Sequence, residues 1–323
     1  MPTPLRCDPS LFEKDLKDQV MIVTGANSGC GLETSRQLSK QGATVILACR
    51  NVERGEAAAK DVNGVFLAPL DLSSLESIHN FVKAFQDKYN RLDVLVNNAG
   101  VMACPYQKTK DGFEWQFGCN HLGHFLLSSL LTPLLLKTAD TTGRPSRMVC
   151  LSSCANSATS MSSDDPKIDF EDLNWETREY NEGAAYQQSK LANYLHALGA
   201  SRKYPADKLI ATSVHPGWVL SPLDQHYVKK MFGEGKIADF LASMLRKFFL
   251  WKGDMITPVD GAQTSLHCVL ADGIESGKFY SQFGIYKDEE AQKGGWPMEI
   301  PNPNATPEIA DQLWEVSEKL VGV

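Results

Sequence analysis

Tyr186 and Lys190 are the pair of side chains in this sequence best suited to moving a proton. Residues four apart lie on one face of an α-helix, so the phenol and the ammonium would stand side by side. A free tyrosine ionises near pH 10, and lowering that pKa by about two to three units requires about 3–4 kcal/mol. An ammonium about 4 Å away in a shielded site supplies an effect of that size. We predict that Tyr186 is a general acid/base assisted by Lys190, the alternative being an unrelated pair on a solvated face.

Ser153 and Asn120 are the polar side chains predicted to complete this site. Ser153 follows an apolar run and is predicted to hold a substrate oxygen, the alternative being a strand-end turn residue, as we expect for Ser152. Asn120 lies within a long helical pattern, where a local helix distortion would let it hold a water and relay protons to Lys190. The alternative for Asn120 is a buried, hydrogen-bonded amide, and the nearby His121 and His124 are expected to pack or cap.

A glycine-rich turn offers a surface for phosphate groups. The segment Thr24–Gly31 joins an apolar run to a helical pattern. Glycines let the backbone approach a pyrophosphate, and a helix N-terminus presents unpaired N–H groups and the positive end of a dipole. The spacing is GxxxGxG rather than GxGxxG, and an ordinary turn is the alternative. The residues predicted to bind a dinucleotide here are Gly25, Asn27, Ser28, Gly29, Cys30 and Gly31.

The end of the second apolar run indicates which dinucleotide is preferred. A site for NAD usually has Asp or Glu at this point for the ribose hydroxyls, whereas here Arg50 follows the run. A guanidinium pairs bidentately with a 2′-phosphate, so Arg50 favours NADP(H), unless it is a surface residue capping a loop. Asp71, followed by Leu72, is predicted to accept a hydrogen bond from the adenine amine, or alternatively to cap the helix that starts at Ser74.

Two more strand ends are predicted to contact the cofactor. Asn98, Ala99 and Gly100 close the fourth apolar run, where small residues let a ribose lie against the strand, while Asn97 has a structural role. After the sixth run, Pro216 and Gly217 force a turn, and the backbone near Val219 is predicted to bind the nicotinamide carboxamide. A plain loop is the alternative there. Tyr186 and Lys190 are predicted to border the same cofactor.

The elements that must position these residues alternate regularly. Short apolar runs suit strands that are covered on both faces, and amphipathic patterns separate them. The alternation predicts an α/β fold, a doubly wound Rossmann-type parallel sheet of about seven strands with helices on both faces. The predicted strands are Gln19–Thr24, Ala43–Cys49, Gly64–Leu70, Leu92–Asn97, Arg147–Ser152, Leu209–His215 and Gly277–Tyr280. The predicted helices are Gly31–Gln41, Val52–Val62, Ser74–Tyr89, Gly112–Lys137, Gly183–Tyr204, Pro258–Ala271 and Thr306–Val321.

Most of the chain is assigned to one domain. Residues 1–18 are predicted to be an N-terminal extension, and residues 19–323 a single dinucleotide-binding catalytic domain. Two segments, 156–182 and 221–257, interrupt the alternation, and we predict that they cover the substrate. The most lipid-like segment is 237–251, for which a substrate-covering helix is favoured over peripheral contact with a membrane.

The composition of the chain limits the classes of partner that we expect it to bind. The net charge of −7 argues against a nucleic-acid partner, because no broad basic face is available. The eight cysteines are scattered without CxxC spacing, and the seven histidines show no HExxH pattern, so we expect no metal site and a cytoplasmic location. The N-terminus is polar and no uninterrupted apolar stretch of about 20 residues exists, so we expect no transmembrane span.

In order and position, these motifs resemble those of the short-chain dehydrogenases/reductases over nearly the whole chain. The motifs are TGxxxGxG, NNAG, the strand-end serines, YxxxK and the Pro-Gly turn. The sequence is most similar to the branch of the retinol dehydrogenases and the WW-domain oxidoreductase. The segments that carry this closer resemblance are Ala48–Arg50, Asn97–Met102, Cys104–Tyr106, Lys108–Thr109, Asp111–Glu114, Asn120–Phe125, Ser189–Asn193 and Gly261–Cys268.

The resemblance implies a function. Asn120, Ser153, Tyr186 and Lys190 match the family's catalytic tetrad, and Arg50 matches the arginine of members that prefer NADP(H). The implied reaction interconverts a lipophilic aldehyde or ketone (retinoid-, steroid- or aldehyde-like) and its alcohol by hydride transfer. The family also implies a homodimer. The two covering segments are individual to this chain, so retinoid specificity does not carry over.

Two other functions are consistent with parts of the sequence. A non-catalytic NADP-binding sensor or scaffold would use the cofactor site alone, although it would not need all four tetrad residues. A light-dependent protochlorophyllide-type reductase is suggested by the C-terminal segment Leu313–Gly322, which looks similar in those enzymes. Pigment binding with light-dependent turnover would identify the latter.

Overall fold

One parallel sheet of six strands, in the order β2-β1-β3-β4-β5-β6, runs through the protein. The structure is a computed structural model that describes residues 4–157, 165–220, 235–252, 255–282 and 302–323. The strands are β1 (Val20–Thr24), β2 (Thr44–Ala48), β3 (Val94–Asn97), β4 (Ser146–Leu151), β5 (Leu209–His215) and β6 (Phe279–Ser281). The helices are α1 (Gly29–Lys40), α2 (Val52–Val62), α3 (Leu75–Lys88), α4 (Trp115–Thr142), α5 (Glu182–Lys203), α6 (Lys236–Lys252), α7 (Pro258–Leu270) and α8 (Pro307–Val321).

The predicted α/β class and doubly wound parallel sheet are confirmed. All strand pairs are parallel, and alternate residues of each strand enter the cores on the two faces. In β1, Val20 and Ile22 pack in one core, whereas Met21 and Val23 pack in the other. Burial on both faces explains why the strands are continuously apolar in the sequence.

The strand predicted at Gly64–Leu70 is reduced to a single bridge. Val65 pairs with Ile46 beside β2, with hydrogen bonds from Val65 N to Val45 O (2.8 Å) and from Leu47 N to Val65 O (2.8 Å). Pro69 has no N–H to donate, so a longer ladder at this edge is not supported. Six described strands therefore stand where about seven were predicted.

Helix α4 contains a π-helical turn. Gly118–Leu122 is π-helical, and the backbone N–H of Gly123 bonds to the Gly118 carbonyl five residues earlier. By length and composition α4 could cross a membrane, but 67% of its apolar stretch is buried inside the protein. It packs against α3, β3 and β4, so we regard it as a core helix.

The N-terminal residues pack on the domain. Leu5 and the Gln282 side chain exchange two hydrogen bonds, and Cys7 N donates to Gln263 Oε1 at 3.0 Å. Leu11 and Leu16 are buried in the core that holds α1 and α7. The division of the chain at residue 18 stays a prediction.

The two predicted covering segments are described in part. Of 156–182, residues 158–164 lie outside the described residues; in the rest, Asn174 and Tyr180 form hydrogen bonds with Glu114 and Gln116 at the start of α4. Of 221–257, residues 221–234 and 253–254 lie outside, and α6 fills most of what is described.

Candidate active site

Tyr186 and Lys190 lie on one buried face of α5. The helix begins at Asn181, whose side chain accepts a hydrogen bond from Ala184 N, so the tyrosine falls in its second turn. Tyr186 is 8% exposed and Lys190 is 3% exposed. The Lys190 Nζ atom lies 5.6 Å from the centre of the Tyr186 ring. Tyr186 and Lys190, four residues apart in the sequence, therefore lie next to each other in the structure.

Lys190 lies between the ends of β3 and β4. Its Nζ donates to the Leu151 carbonyl at the end of β4 (3.0 Å), which also accepts from Asn193 Nδ2 (2.9 Å). A side-chain carbon at Gly100 would come within 3.3 Å of Lys190 Nζ and 3.2 Å of Asn120 Oδ1. The absence of a side chain at Gly100 therefore lets Lys190 and Asn120 approach the end of β3.

Ser153 joins the tyrosine at the end of β4. Its hydroxyl lowers the pKa of the Tyr186 phenol, and its Oγ accepts from Ala155 N at 3.1 Å, which caps the 3₁₀ turn Cys154–Asn156. Ser152 donates instead to the Lys190 carbonyl at 2.6 Å, a structural bond. Ser152 thus has the structural role that was expected of it, whereas the role of Ser153 in holding a substrate oxygen stays a prediction.

Asn120 lies in the π-helical turn and connects two elements. Its Oδ1 accepts from Val101 N (2.8 Å), and its Nδ2 donates to Val101 O (2.9 Å) and to Ser189 Oγ (2.9 Å). Ser189 in turn donates to the Tyr186 carbonyl at 2.8 Å. The amide thus fixes the catalytic face of α5 against the end of β3, and its water-holding role stays a prediction.

The electrostatics of the pair differ from the sequence-based expectation. Burial raises the pKa of the Tyr186 phenol, against the opposing effect of its hydrogen bond with Ser153. Burial also lowers the pKa of the Lys190 ammonium to about 8. The expectation that Lys190 lowers the tyrosine pKa is wrong for the cofactor-free protein, because desolvation outweighs an ammonium 5.6 Å from the ring. An oxidised nicotinamide would add the positive charge that the site lacks.

The glycine turn has the geometry of a phosphate cradle. Gly25 has φ +63°, and a side-chain carbon there would come within 2.9 Å of Ala99 Cα. At Gly31 such a carbon would come within 2.4 Å of Asn98 Nδ2. Ser28 is the N-cap residue of α1, yet in the described structure its side chain makes no capping hydrogen bond. The first-turn N–H groups of α1 therefore lack a side-chain cap and fit a pyrophosphate.

A buried network joins this cradle to Asn120. Thr24 Oγ1 accepts from the backbone N–H groups of Asn98 and Ala99, both at 2.9 Å, and lies 2.8 Å from His124 Nε2. His124 Nδ1 lies 2.9 Å from the Asn120 carbonyl, which can only accept, so Nδ1 carries the proton. Burial lowers the pKa of His124 to about 4, so the ring is neutral and Nε2 accepts from Thr24. Sequence reasoning assigned His124 to packing or capping, and its i+4 spacing from Asn120 was the signal for this connection.

Arg50 and Asp71 lie at the other end of the site. Arg50 follows β2 and is exposed, and it belongs to none of the ion pairs among the described residues. Although burial opposes it, hydrogen bonds from Ser73 and the charges of Arg50 and Lys110 hold the pKa of Asp71 below its usual value. One Asp71 oxygen accepts from Ser73 N (3.0 Å) and Oγ (2.7 Å) in the turn before α3. The helix itself is capped by Ser74, whose Oγ accepts from Ser77 N (3.3 Å), so the capping alternative for Asp71 is wrong. Leu72 lies against Gly123 of α4.

The Pro-Gly turn meets the glycine turn. Gly217 has φ +87°, and Val219 pairs with Ile256 in an isolated bridge. A side-chain carbon at Gly261 of α7 would come within 2.4 Å of Val219 Cγ2 and 2.8 Å of Cys30 Sγ. Pro216, Val219 and Cys30 therefore converge on one point of α7.

All the predicted site residues thus lie along the carboxyl edge of the sheet. At one end of this edge stand Ser153, Tyr186, Lys190 and Asn120; at the other stand Arg50 and Asp71, with the two turns between them. Within the described residues no group of three or more His, Cys, Asp or Glu side chains is arranged to hold a metal ion. The arrangement suits an extended dinucleotide whose reactive end lies beside a proton donor.

Known proteins similar to this chain agree with that geometry. The model of the short chain dehydrogenase family matches residues 19–162. Retinol dehydrogenase 11 of Homo sapiens is 40% identical over 316 residues, which cover 95% of this chain and 87% of that protein. Retinol dehydrogenase 12 of Bos taurus is 39% identical over 326 residues, 98% of this chain and 89% of that protein. A crystal structure of an uncharacterized protein from Mycobacterium Paratuberculosis is 32% identical, with a TM-score of 0.69 and 96% of each chain covered.

Proposed function

The chain belongs to the short-chain dehydrogenase family and is an oxidoreductase of its retinol dehydrogenase branch, and on that premise we propose that it interconverts a lipophilic aldehyde or ketone and the corresponding alcohol with NADP(H). The juxtaposition of Tyr186, Ser153 and Lys190 beside the cofactor edge carries this proposal. NADPH supplies a hydride to the carbonyl carbon when it is bound, and NADP accepts one in the reverse direction.

The protein's own groups handle the proton. In reduction Tyr186 donates its phenolic proton to the carbonyl oxygen, and Ser153 holds that oxygen in line. Burial keeps the phenol protonated at neutral pH, which suits a proton donor. Lys190 then lies close enough to stabilise the phenolate that remains, and Asn120 keeps α5 in register with the end of β3.

Arg50 supports NADP(H) over NAD(H). Gly25 N donates to the Ala48 carbonyl (2.9 Å) at the end of β2, so Arg50, two residues later, emerges beside the glycine turn. Its guanidinium is exposed and so available for a 2′-phosphate. Asp71, whose pKa the charge of Arg50 helps to lower, is already bonded to Ser73 and lies 3.5 Å from Lys110 Nζ.

The proposed substrate is lipophilic, and a retinoid, a steroid or an aliphatic aldehyde fits this description. The names of the related proteins indicate retinol as their substrate. The compartment that we propose is the cytoplasm, supported by the free thiols of all eight cysteines. A homodimer is part of the proposal, and light scattering on the purified chain would measure it.

The decisive experiment is NADPH oxidation with retinal, steroid ketones, aliphatic aldehydes and quinones. We expect turnover with at least one lipophilic carbonyl and slower turnover with NADH. Stoichiometric NADPH binding without turnover on any compound would instead favour a sensor or scaffold. Light-dependent turnover of a bound pigment would favour a protochlorophyllide-type reductase.

A further inference from the structure

Gln116 is a fully buried amide in the first turn of α4, four residues before Asn120. Its side chain bonds to two other segments of the chain. Oε1 accepts from Ala103 N at 2.8 Å, while Nε2 donates to the Glu182 carbonyl and to Tyr180 OH, both at 2.9 Å. A backbone N–H can only donate and a backbone carbonyl can only accept, so these partners fix the orientation of the amide. The oxygen and both protons of Gln116 are therefore engaged.

Ala103 lies in the loop 101–106 after β3, which we call the β3 loop, and its backbone is strained. Its φ is +48°, in the left-handed region where a side-chain carbon crowds the following carbonyl oxygen. Asp18 and Asn63 also have positive φ, but their residue types tolerate it. Trp175 does not, and it stands in the predicted covering segment that the amide also contacts. Strain of this kind persists only where the surroundings hold it, and it is concentrated at functional sites.

Two amides of α4 form parallel bridges from the β3 loop to α5. Asn120 bonds to Val101 on one side and to Ser189 on the other. Gln116 repeats this arrangement one helical turn earlier, with Ala103 on one side and the first residue of α5 on the other. The second bridge therefore has the same form as the one made by a residue of the predicted tetrad.

The carbonyl that Gln116 reaches belongs to the helical turn that carries Tyr186. In an α-helix the carbonyl of residue i accepts from the N–H of residue i+4, which for Glu182 is Tyr186. The other partner of Gln116, the β3 loop, directly follows Gly100, where the absence of a side chain lets Lys190 approach. Gln116 thus connects the loop beside the Lys190 ammonium to the turn that holds the Tyr186 phenol.

We propose that Gln116 is a positioning residue: it fixes the strained turn at Ala103 against the first turn of α5 and so sets where a substrate carbonyl meets the Tyr186 hydroxyl. The bond to Glu182 holds the phenol in place for every substrate. The bond to Ala103 holds the β3 loop at a fixed distance from α5, which affects bulky substrates most. The effect on the reaction rests on the proposed function, whereas the hold on the loop does not.

The first test is Gln116→Met, which keeps the length of the side chain and removes all three hydrogen bonds. With saturating NADPH, kcat should fall by as much as about 10²-fold with both a bulky lipophilic carbonyl and a small aldehyde, because a small misplacement of a reacting group has an effect of that size. KM should rise for the bulky compound only. The Kd for NADPH should be unchanged, and hydrogen exchange of residues 101–106, measured by mass spectrometry, should become faster.

Ala103→Gly provides a readout that a loss of stability alone would not move. Glycine adopts positive φ at little cost, so the β3 loop can keep its left-handed turn without the amide. The double variant Q116M/A103G should therefore recover much of the lost affinity for the bulky carbonyl, seen as a lower KM than in Q116M. Its kcat should stay low, because the bond to Glu182 is still missing. A103G alone should have parental kinetics.

The matched control is Gln41→Met at the end of α1. Gln41 is also buried, and its Nε2 donates to the carbonyls of Leu11 (2.8 Å) and Lys14 (3.0 Å), away from α5. Both substitutions should lower the unfolding temperature, but Q41M should keep the parental kcat and KM. If Q116M does not fold, Gln116→Asn withdraws the amide by one methylene group, and the same kinetic and exchange results are expected of it.

Four outcomes would overturn the proposal. They are parental kcat and KM in Q116M, kinetic losses of equal size in Q41M, a KM for the bulky carbonyl that is no lower in Q116M/A103G than in Q116M, and unchanged exchange of residues 101–106 in Q116M. If the parental chain reduces no carbonyl compound, the proposed function fails instead. The exchange measurement needs no turnover, so it would still decide whether Gln116 holds the β3 loop.

Discussion

Burial sets the protonation states of the two central residues in opposite directions. It raises the pKa of Tyr186 and lowers that of Lys190 to about 8. Both shifts favour the neutral form, since a charged group loses more solvation than a neutral one on entering the protein. The cofactor-free site therefore holds a proton on the phenol, ready for donation to a carbonyl oxygen. The sequence predicted that Tyr186 and Lys190 share one face of a helix, but it could not show how deeply the fold buries them.

Replacement of Tyr186 by Phe should abolish turnover. Only the phenolic hydroxyl is lost, so we expect kcat to fall by about 10²–10⁴-fold, as for removal of a general acid. NADPH affinity, measured by fluorescence titration, should change little, because no predicted phosphate contact is touched. Retained activity in Y186F would contradict the mechanism.

Replacement of Arg50 by Asp should shift the preference from NADPH toward NADH. A carboxylate repels the 2′-phosphate and can accept hydrogen bonds from the ribose hydroxyls. The measurement is the ratio of kcat/KM with the two cofactors. Arg144→Asp makes the same change of charge on an exposed residue before β4, at the opposite edge of the sheet, and should leave the ratio unchanged. An unaltered ratio in R50D would count against the role of Arg50.

His124 is a positioning residue that sequence reasoning missed. In His124→Phe the ring volume is nearly kept, but the Thr24 hydroxyl loses the acceptor of its proton at 2.8 Å and the Asn120 carbonyl loses the His124 donor. Leaving a buried polar group unsatisfied costs about 1–3 kcal/mol, which denaturant unfolding would measure. Since Thr24 also orients Asn98 and Ala99, the Kd for NADPH should rise more than KM for the carbonyl. Equal effects on both would indicate a merely structural role.

At the scale of elements, the periodicity of apolar residues in the sequence predicted most strands and helices correctly. The six strands and the helices α1–α5, α7 and α8 lie within a few residues of their predicted bounds, because a sheet buried on both faces leaves continuous apolar runs. The strand at 64–70 failed because edge pairing depends on neighbours that periodicity does not report. The π-helical turn depends on contacts of Asn120 with Val101 and Ser189, which are distant in sequence. Long-range hydrogen bonds of this kind leave no local pattern.

Tyr180 is one of the residues that attach segment 165–182 to the start of α4. Tyr180 OH lies 2.8 Å from Glu114 Oε1 and accepts from Gln116 Nε2 at 2.9 Å. Glu114 also accepts from the backbone of Gln116 and Phe117, which caps the start of α4. Burial raises the pKa of this carboxyl, against the effect of these hydrogen bonds. Segment 165–182, which is predicted to cover the substrate, is thereby coupled to the helix that carries Asn120.

Replacement of Tyr180 by Phe should weaken the attachment of this segment without abolishing the proposed proton transfer. The buried amide of Gln116 loses one partner and Glu114 loses a donor, at a cost of about 1–3 kcal/mol in the free energy of unfolding. We expect KM for a bulky carbonyl to rise, while kcat with a small aldehyde stays near the parental value. A fall in kcat for both substrates would show instead that the segment positions the tetrad.

At the scale of the whole molecule, buried histidines set the response to acid. His121, His124, His196 and His215 are each at most 3% exposed. Burial holds the pKa of His124 at about 4, those of His196 and His215 at about 3, and that of His121 well below its usual value. In the unfolded chain each ring titrates near pH 6.5. The stability contributed by these neutral rings is therefore present above about pH 6.5 and is lost as the pH falls toward the folded pKa values.

The free energy of unfolding should consequently drop steeply below about pH 6.5, by about 1.4 kcal/mol per pH unit for each ring. Four rings would remove a large part of the typical 5–15 kcal/mol within about one to two pH units. His196→Phe isolates one of them, because its ring packs against Phe125 and Trp314 and, among the described residues, its Nε2 has no hydrogen-bond partner. We propose to measure the free energy of unfolding in urea between about pH 7.5 and 5. Its slope against pH should be smaller in H196F than in the parent by the contribution of one titrating ring, and its value at about pH 7.5 should be unchanged or raised. A parental stability that stays flat over this range would show that the rings are not held neutral by the fold.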